Sequence, residues 1–219
     1  QRRSSYRSGR SGGRAMQRSA TAGGIAQGGG QCVGHGGGQP QGQVQSLCIE
    51  ALRELSKRKI KVGVYAVGTV QEELGLRGAH TSTFGIDPNM GIAVDVGFAT
   101  DVPNVDKKNW GDLKMGGGPA LSRNADNNPV LNRIMFDVAD KKKIPYQLKC
   151  GHRASGGTDT AQMQMTRSGV ATALISVPNR YMHTPVEMCD LRDVENCIKL
   201  IVETVAALKG NETFIPGID

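Results

Sequence analysis

The first 46 residues contain no aspartate, glutamate or lysine, yet they hold six arginines. Most of the chain's formal net charge of +7 therefore lies in this segment, and the rest of the chain is nearly neutral. The basic pI near 9.3 belongs to this segment rather than to the patterned sequence after it. A basic, Gly-rich stretch can mark nucleic-acid binding, but this one has a single aromatic (Tyr6) and no lysine, which argues against that partner. Its polar, Gly-rich composition reads instead as a disordered tail that cannot bury a core. Long apolar runs are also missing. None approaches the roughly 20 residues of a helical membrane span, so no membrane partner is expected. The arginines at the start precede no apolar h-region, so no secretory signal is expected; an Arg- and Ser-rich, acid-free start is also the composition of an organelle transit peptide. Aromatics make up only 4% of the chain, with one Trp, a poor supply of sugar-stacking platforms. The five cysteines form no CxxC pair, and their odd number indicates neither a disulfide framework nor a zinc finger. Cys48 and Cys197 fall on apolar helix faces and read as core thiols, which favours a reducing, cytoplasmic compartment.

What is present begins near Ser46, a plausible helix N-cap. Leu47, Ala51, Leu52 and Leu55 follow helical spacing and end in a basic stretch suited to a helix C-terminus. The Val-rich run 62–70 reads as a buried strand and 92–98 as a second one. Residues 101–119 read as turns with short extended pieces. An amphipathic helix is predicted over 128–142, a short strand over 145–149, a helix capped by Thr158 or Asp159 running to Ser168, a strand over 170–177 and a last helix over 194–208. Strands alternating with helices predict an α/β class, a three-layer domain with a mixed sheet flanked by helices. The domain is expected over 46–219, preceded by the disordered tail 1–45.

Within this frame three strand ends carry polar residues. Glu72 and Glu73 follow the run 62–70, Asp95 interrupts Gly91-Ile-Ala-Val-Asp-Val-Gly97, and His183 follows the run 171–177. Asp is depleted in strands, and a buried carboxylate is costly unless it is paired, hydrogen-bonded or bound to metal. Taken singly, a Glu-Glu pair is an ordinary solvated turn, His183 a satisfied polar residue, and Asp159 a helix cap. Jointly, Glu, Asp and His at strand ends suggest a metal site. A carboxylate and imidazole set without thiolate suits hydrolytic Zn, Co or Mn. His80 and His152 lie in expected loops and read as surface residues.

Four segments carry a resemblance. They are Ala66-Val-Gly-Thr-Val-Gln-Glu-Glu-Leu-Gly-Leu-Arg-Gly-Ala79, Ala93-Val-Asp-Val-Gly97, Gly156-Gly-Thr-Asp159 and Ser176-Val-Pro-Asn-Arg-Tyr-Met-His-Thr-Pro-Val-Glu187. Gly116-Gly-Gly-Pro119 and Ile144-Pro-Tyr146 add to them. Together they resemble the tetrahedral (glutamyl or deblocking) aminopeptidases, cytoplasmic dinuclear metallopeptidases of zinc-exopeptidase-like fold, some of which carry endoglucanase names. The similarity runs from about Ser46 to Leu208. It implies peptide substrates, two divalent metal ions (Zn or Co, or Mn) and assembly into homo-oligomers, dodecamers in the family. It also implies roles. Glu72 matches the general base, Glu73 a ligand of one metal, Asp95 a ligand of the other, and His183 the partner of Glu73. Gly157, Thr158 and Asp159 match a substrate-lining loop, and Arg180 a residue supporting the site near His183.

The chain also departs from that family. The bridging Asp expected about ten residues before the position of Glu50 is replaced by Gln39-Pro-Gln-Gly-Gln43, and no His-x-Asp motif precedes it. His35 lies at the wrong spacing to stand in for it. The small β-rich domain between those motifs is missing as well. Three of five expected protein ligands and the base remain. Two alternatives follow: a non-catalytic homologue acting through oligomerisation, and, less favoured, a glycoside hydrolase using Glu72 with Asp95, which needs carboxyls roughly 5–9.5 Å apart.

Overall fold

A computed structural model describes residues 21–27, 40–149 and 157–217, with side chains from Ser46 onward. The elements run β1 (Thr21–Gln27), α1 (Pro40–Ser56), β2 (Gly63–Thr69), α2 (Arg77–Ile86), β3 (Met90–Phe98), α3 (Lys107–Trp110), β4 (Ala120–Ser122), α4 (Pro129–Lys142), β5 (Gln147–Lys149), α5 (Thr160–Gln164), β6 (Ala171–Arg180), β7 (Met188–Cys189) and α6 (Leu191–Ala207). The strands form one mixed sheet in the order β2-β1-β3-β6-β4-β5, with β7 on the end of β6. β2, β1, β3 and β6 run parallel to one another, whereas β4 and β7 run antiparallel to β6.

The segment expected to be a disordered tail differs in two places. Residues 21–27 form β1, inserted between β2 and β3 and paired with both. Helix α1 starts at Pro40 rather than Ser46. Proline is pre-set for a helix start, where its missing N–H costs nothing. The composition of 21–27, rich in Gly and Ala, gives no strand signal of its own, and pairing on both sides supplies one. The rest of 1–39, with Cys32 and His35, lies outside the described residues, as do Cys150 and His152.

Strand parity builds the two faces. Ile92, Val94 and Val96 of β3 and Ala173, Ile175 and Val177 of β6 pack with Leu47, Ala51 and Leu55 of α1 and with the apolar faces of α4 and α6. The alternate residues Ala93 and Leu174 pack on the other side with Ala79 of α2 and Met163 of α5. Asp95 and Gly97 share the parity of Ala93, so they face the α2/α5 side. Cys48 and Cys197 are buried and free, as expected of core thiols; burial pushes the Cys48 thiol up to about 12. Among the described residues no helix is long and apolar enough to cross a membrane.

Several elements differ from their expected extents. β2 is half-exposed rather than buried, because among the described residues only β1 flanks it. The turn after it leads into α2, which places His80 on a helix, still exposed. α5 stops at Gln164, short of the expected Ser168.

The loop 99–119 is pinned at three points: within itself through Thr100, to β6 through Asp101, and to α6 through Asp193. Thr100 Oγ1 donates to Gly111 O at 2.9 Å and accepts from Leu113 N at 2.8 Å. Asp101 accepts two bonds from Arg180, from Nε at 2.9 Å and from Nη2 at 2.6 Å. Asp193, fully buried at the start of α6, accepts the Gly116 and Gly118 amides at 2.7 Å each. The glycines are required there: a Cβ on Gly118 would stand 2.3 Å from Pro145 O. Asp193→Ala strands both amides without a partner, and unmet bonds to a charged acceptor cost about 2–4 kcal/mol. Thermal unfolding should show a drop of several degrees; an unchanged melting temperature would mean that the strap carries no load.

Candidate functional site

The parallel strands β2, β3 and β6 end on the same edge of the sheet, the place where open α/β sheets form their ligand crevices. Glu72 and Glu73 lie in the turn that leaves β2. That turn is closed by the Gly78 amide donating to Val70 O at 2.9 Å, and Glu72 O accepts the Gly75 and Leu76 amides at 3.1 and 2.8 Å. Gly78 cannot be replaced at this crossing, since a Cβ would lie 2.3 Å from Val70 N and 2.6 Å from Val70 O. Gly78→Ala is therefore expected to displace the turn and cost about 1–3 kcal/mol. Chemical denaturation measures the loss, and a wild-type midpoint would show that the turn adapts freely.

Backbone strain gathers at this edge. Gln71 (φ 57°) and Leu76 (φ 59°) bracket the Glu-Glu turn, and Tyr181 (φ 57°) and His183 (φ 66°) shape the loop after β6. Left-handed conformation in such residues costs on the order of 1 kcal/mol or more and concentrates at functional sites. Glu187 holds the second loop, accepting the His183 amide at 2.5 Å and Asn179 Nδ2 at 3.2 Å.

Two groups of side chains result. In the first, Glu73 Oε1 stands 3.4 Å from His183 Nε2. In the second, three acidic side chains are buried near one another: Glu72 is 5% exposed, Asp95 9% and Asp159 2%. Burial, the Glu72 charge beside it and, to a lesser degree, the Asp159 charge push the Asp95 carboxyl well above the usual range, against the Val96 amide and the Lys149 ammonium. Burial likewise raises Asp159, opposed by the Thr69 hydroxyl. Lys149 reaches across from β5, and burial lowers its ammonium while Asp95 raises it. Gly97 makes the room: a Cβ there would lie 3.8 Å from Lys149 Nζ and 2.9 Å from Ser176 Cβ.

The other residues expected at the site fall differently. Asp159 occupies the N-cap position of α5 without capping it. Its Oδ2 accepts from Thr69 Oγ1 at 2.7 Å, and its buried Oδ1 has no hydrogen-bond partner. Gly157 is exposed at φ 85°, and Thr158 bonds through its hydroxyl to Thr160 at 2.7 Å. Arg180 lies at the edge of the site, and its guanidinium is engaged by Asp101, through which it fastens the loop 99–119. Lys149, Asp101 and Asp193 were not legible as site or support residues. Each is an ordinary charged residue in sequence and acquires a partner only through contacts 54 or more positions away.

The donors fit a divalent cation in kind but not in number. Two donors each about 2.1 Å from one tetrahedral ion stand roughly 3.4 Å apart, which is the Glu73–His183 separation. Carboxylate and imidazole are the right donor types for Zn, Co or Mn. Yet among the described residues no three His, Cys, Asp or Glu side chains converge into a metal-holding group.

Comparison with known proteins identifies the family. The chain is 45% identical over 161 residues to the lysyl aminopeptidase of Pyrococcus furiosus, an alignment covering 74% of this chain and 45% of that protein. An aminopeptidase from the archaeon Desulfurococcus kamchatkensis superposes with a TM-score of 0.69 at 40% identity, over 77% of this chain and 47% of that one. The TET1 peptidase of Pyrococcus horikoshii, described as assembling into a tetrahedron or a large octahedral shell, superposes with a TM-score of 0.63 at 29% identity, over 76% of this chain and 48% of that one. The chain spans about half the length of the curated relatives it matches. Residues 45–200 match the family described as M42 glutamyl aminopeptidase, and the chain belongs to that family.

Proposed function

We propose that this chain carries the catalytic edge of a metal-dependent aminopeptidase that removes N-terminal residues from peptides. The observation that supports this best is the Glu73–His183 pair at 3.4 Å beside the buried Glu72. Glu73 and His183 would hold one divalent ion and Asp95 would serve a second, Zn or Co, or Mn. Such ions supply Lewis acidity toward a water and a scissile carbonyl. Glu72 takes the proton of the attacking water and delivers it to the leaving amine, a transfer for which a buried carboxylate is well placed. The chain works as a homo-oligomer in the cytoplasm, in keeping with the shells described for its structural neighbour.

A second reading is favoured by one observation, the absence of a three-donor group among the described residues. On that reading the chain is a non-catalytic homologue that acts only through assembly. Hydrolysis of a panel of aminoacyl anilides, with Zn or Co and then with chelator, separates the two. Cation-dependent turnover supports the aminopeptidase, and no turnover with an intact oligomer supports the homologue.

A further inference from the structure

Trp110 is the only tryptophan of the chain, and it is 46% exposed on the single-turn helix α3. Its ring meets that of Phe98 edge-on, with centroids 6.0 Å apart. Phe98, 45% exposed at the end of β3, is itself 6.4 Å from the imidazole of His183. Two large rings left in water forgo the gain of burial, each worth on the order of 2 kcal/mol. They are held there by built structure. Phe98 lies at the end of the central strand β3, and Trp110 rides on a loop closed on itself by Thr100 and tied to β6 by Asp101 and to α6 by Asp193. The two rings thus continue directly from one half of the proposed cation pair.

We propose that Phe98 and Trp110 form the specificity subsite for the first residue of the peptide, and that it takes apolar side chains such as leucine. This rests on the aminopeptidase reading. With the scissile bond held at the Glu73–His183 pair beside Glu72, a first side chain that leaves past His183 meets an aromatic surface. An apolar side chain covers both rings, and offset or edge-on contacts add about 0.5–1.5 kcal/mol beyond the area buried. A carboxylate would lose hydration against the rings with no opposite charge supplied by them, and an ammonium at these half-exposed rings gains only about 0.5–1 kcal/mol.

Because Trp110 is the sole tryptophan, its emission reports the subsite without any need for turnover. The full chain is titrated with L-leucine, L-glutamate, L-lysine and cellotetraose, beside Phe98→Ala. The expected result is a saturable emission change with leucine alone, weakened about tenfold in Phe98→Ala. Trp110→Phe keeps the preference for leucyl over alanyl anilide and Trp110→Ala lowers it about tenfold, a size typical of apolar discrimination. A response to cellotetraose instead of leucine would overturn the proposal in favour of a sugar platform. Emission that shifts with protein concentration alone, together with association in sedimentation, would overturn it in favour of an interface between copies. Silence toward every ligand would overturn it too. Leucine-responsive emission without hydrolysis supports the subsite and rejects the reaction, whereas hydrolysis with silent emission does the reverse.

Discussion

Replacing Glu72 with Gln lowers kcat/KM for aminoacyl anilides by about 10²–10⁴, the range over which a positioned general base contributes. The reasons are local. Glu72 is buried beside Asp95, and its charge disfavours charge on Asp95. Gln keeps the shape of the side chain but cannot take a proton. The same change removes a buried negative charge from a cluster of three acids, so the melting temperature of the variant should equal or exceed that of the wild type. Loss of rate with a retained fold separates chemistry from folding. A variant that keeps more than a tenth of wild-type kcat/KM would remove Glu72 from the mechanism and leave Glu73 as the functional carboxylate of the pair.

Lys149→Met acts on the same cluster from the other side. The ammonium offsets the Asp95 charge, and Gly97 leaves the space in which it does so. Methionine keeps most of the stem and removes the charge. Taking away one partner of a buried charge pair costs about 3–5 kcal/mol when burial is complete; Lys149 is only partly buried, so a loss of about 1–3 kcal/mol is expected for the cation-free protein. Added Zn or Co should restore more stability to the variant than to the wild type, because a divalent ion can then supply the missing positive charge. Differential scanning calorimetry with and without the cation measures both effects. A cation-free variant as stable as the wild type, with an equal response to Zn, would show that the ammonium does not offset the cluster.

Much of the fold was legible because its elements announce themselves locally. The runs that became β3 and β6 are continuous and apolar, as strands buried on both faces must be. α4 and α6 carry helical periodicity and have side-chain caps in Asn128 and Asp190. β1 was not legible. Its Gly- and Ala-rich sequence has little intrinsic strand preference, and it becomes a strand through pairing with β2 and β3. β2 was read as buried from its valines, but burial depends on neighbours, and among the described residues it has one, β1.

The site divides in the same way. Asp95 stood out because a carboxylate inside an apolar strand needs a partner. Glu73 and His183, 110 positions apart, were paired only through resemblance, and the structure sets them 3.4 Å apart. Asp159 reads in sequence as a helix cap; its carboxylate instead bonds Thr69 across the site. Arg180 reads as support for His183, but its guanidinium is committed to Asp101, an acid in a stretch that gives no strong pattern.

The most direct test of the account is a crystal of the full chain grown with zinc and measured at the zinc absorption edge. The account predicts an anomalous peak bonded to the Glu73 carboxylate and to His183 Nε2 at about 2.0–2.2 Å, lost in His183→Ala. Zinc bound elsewhere on the protein, with Glu73 and His183 left in contact with each other alone, would contradict it.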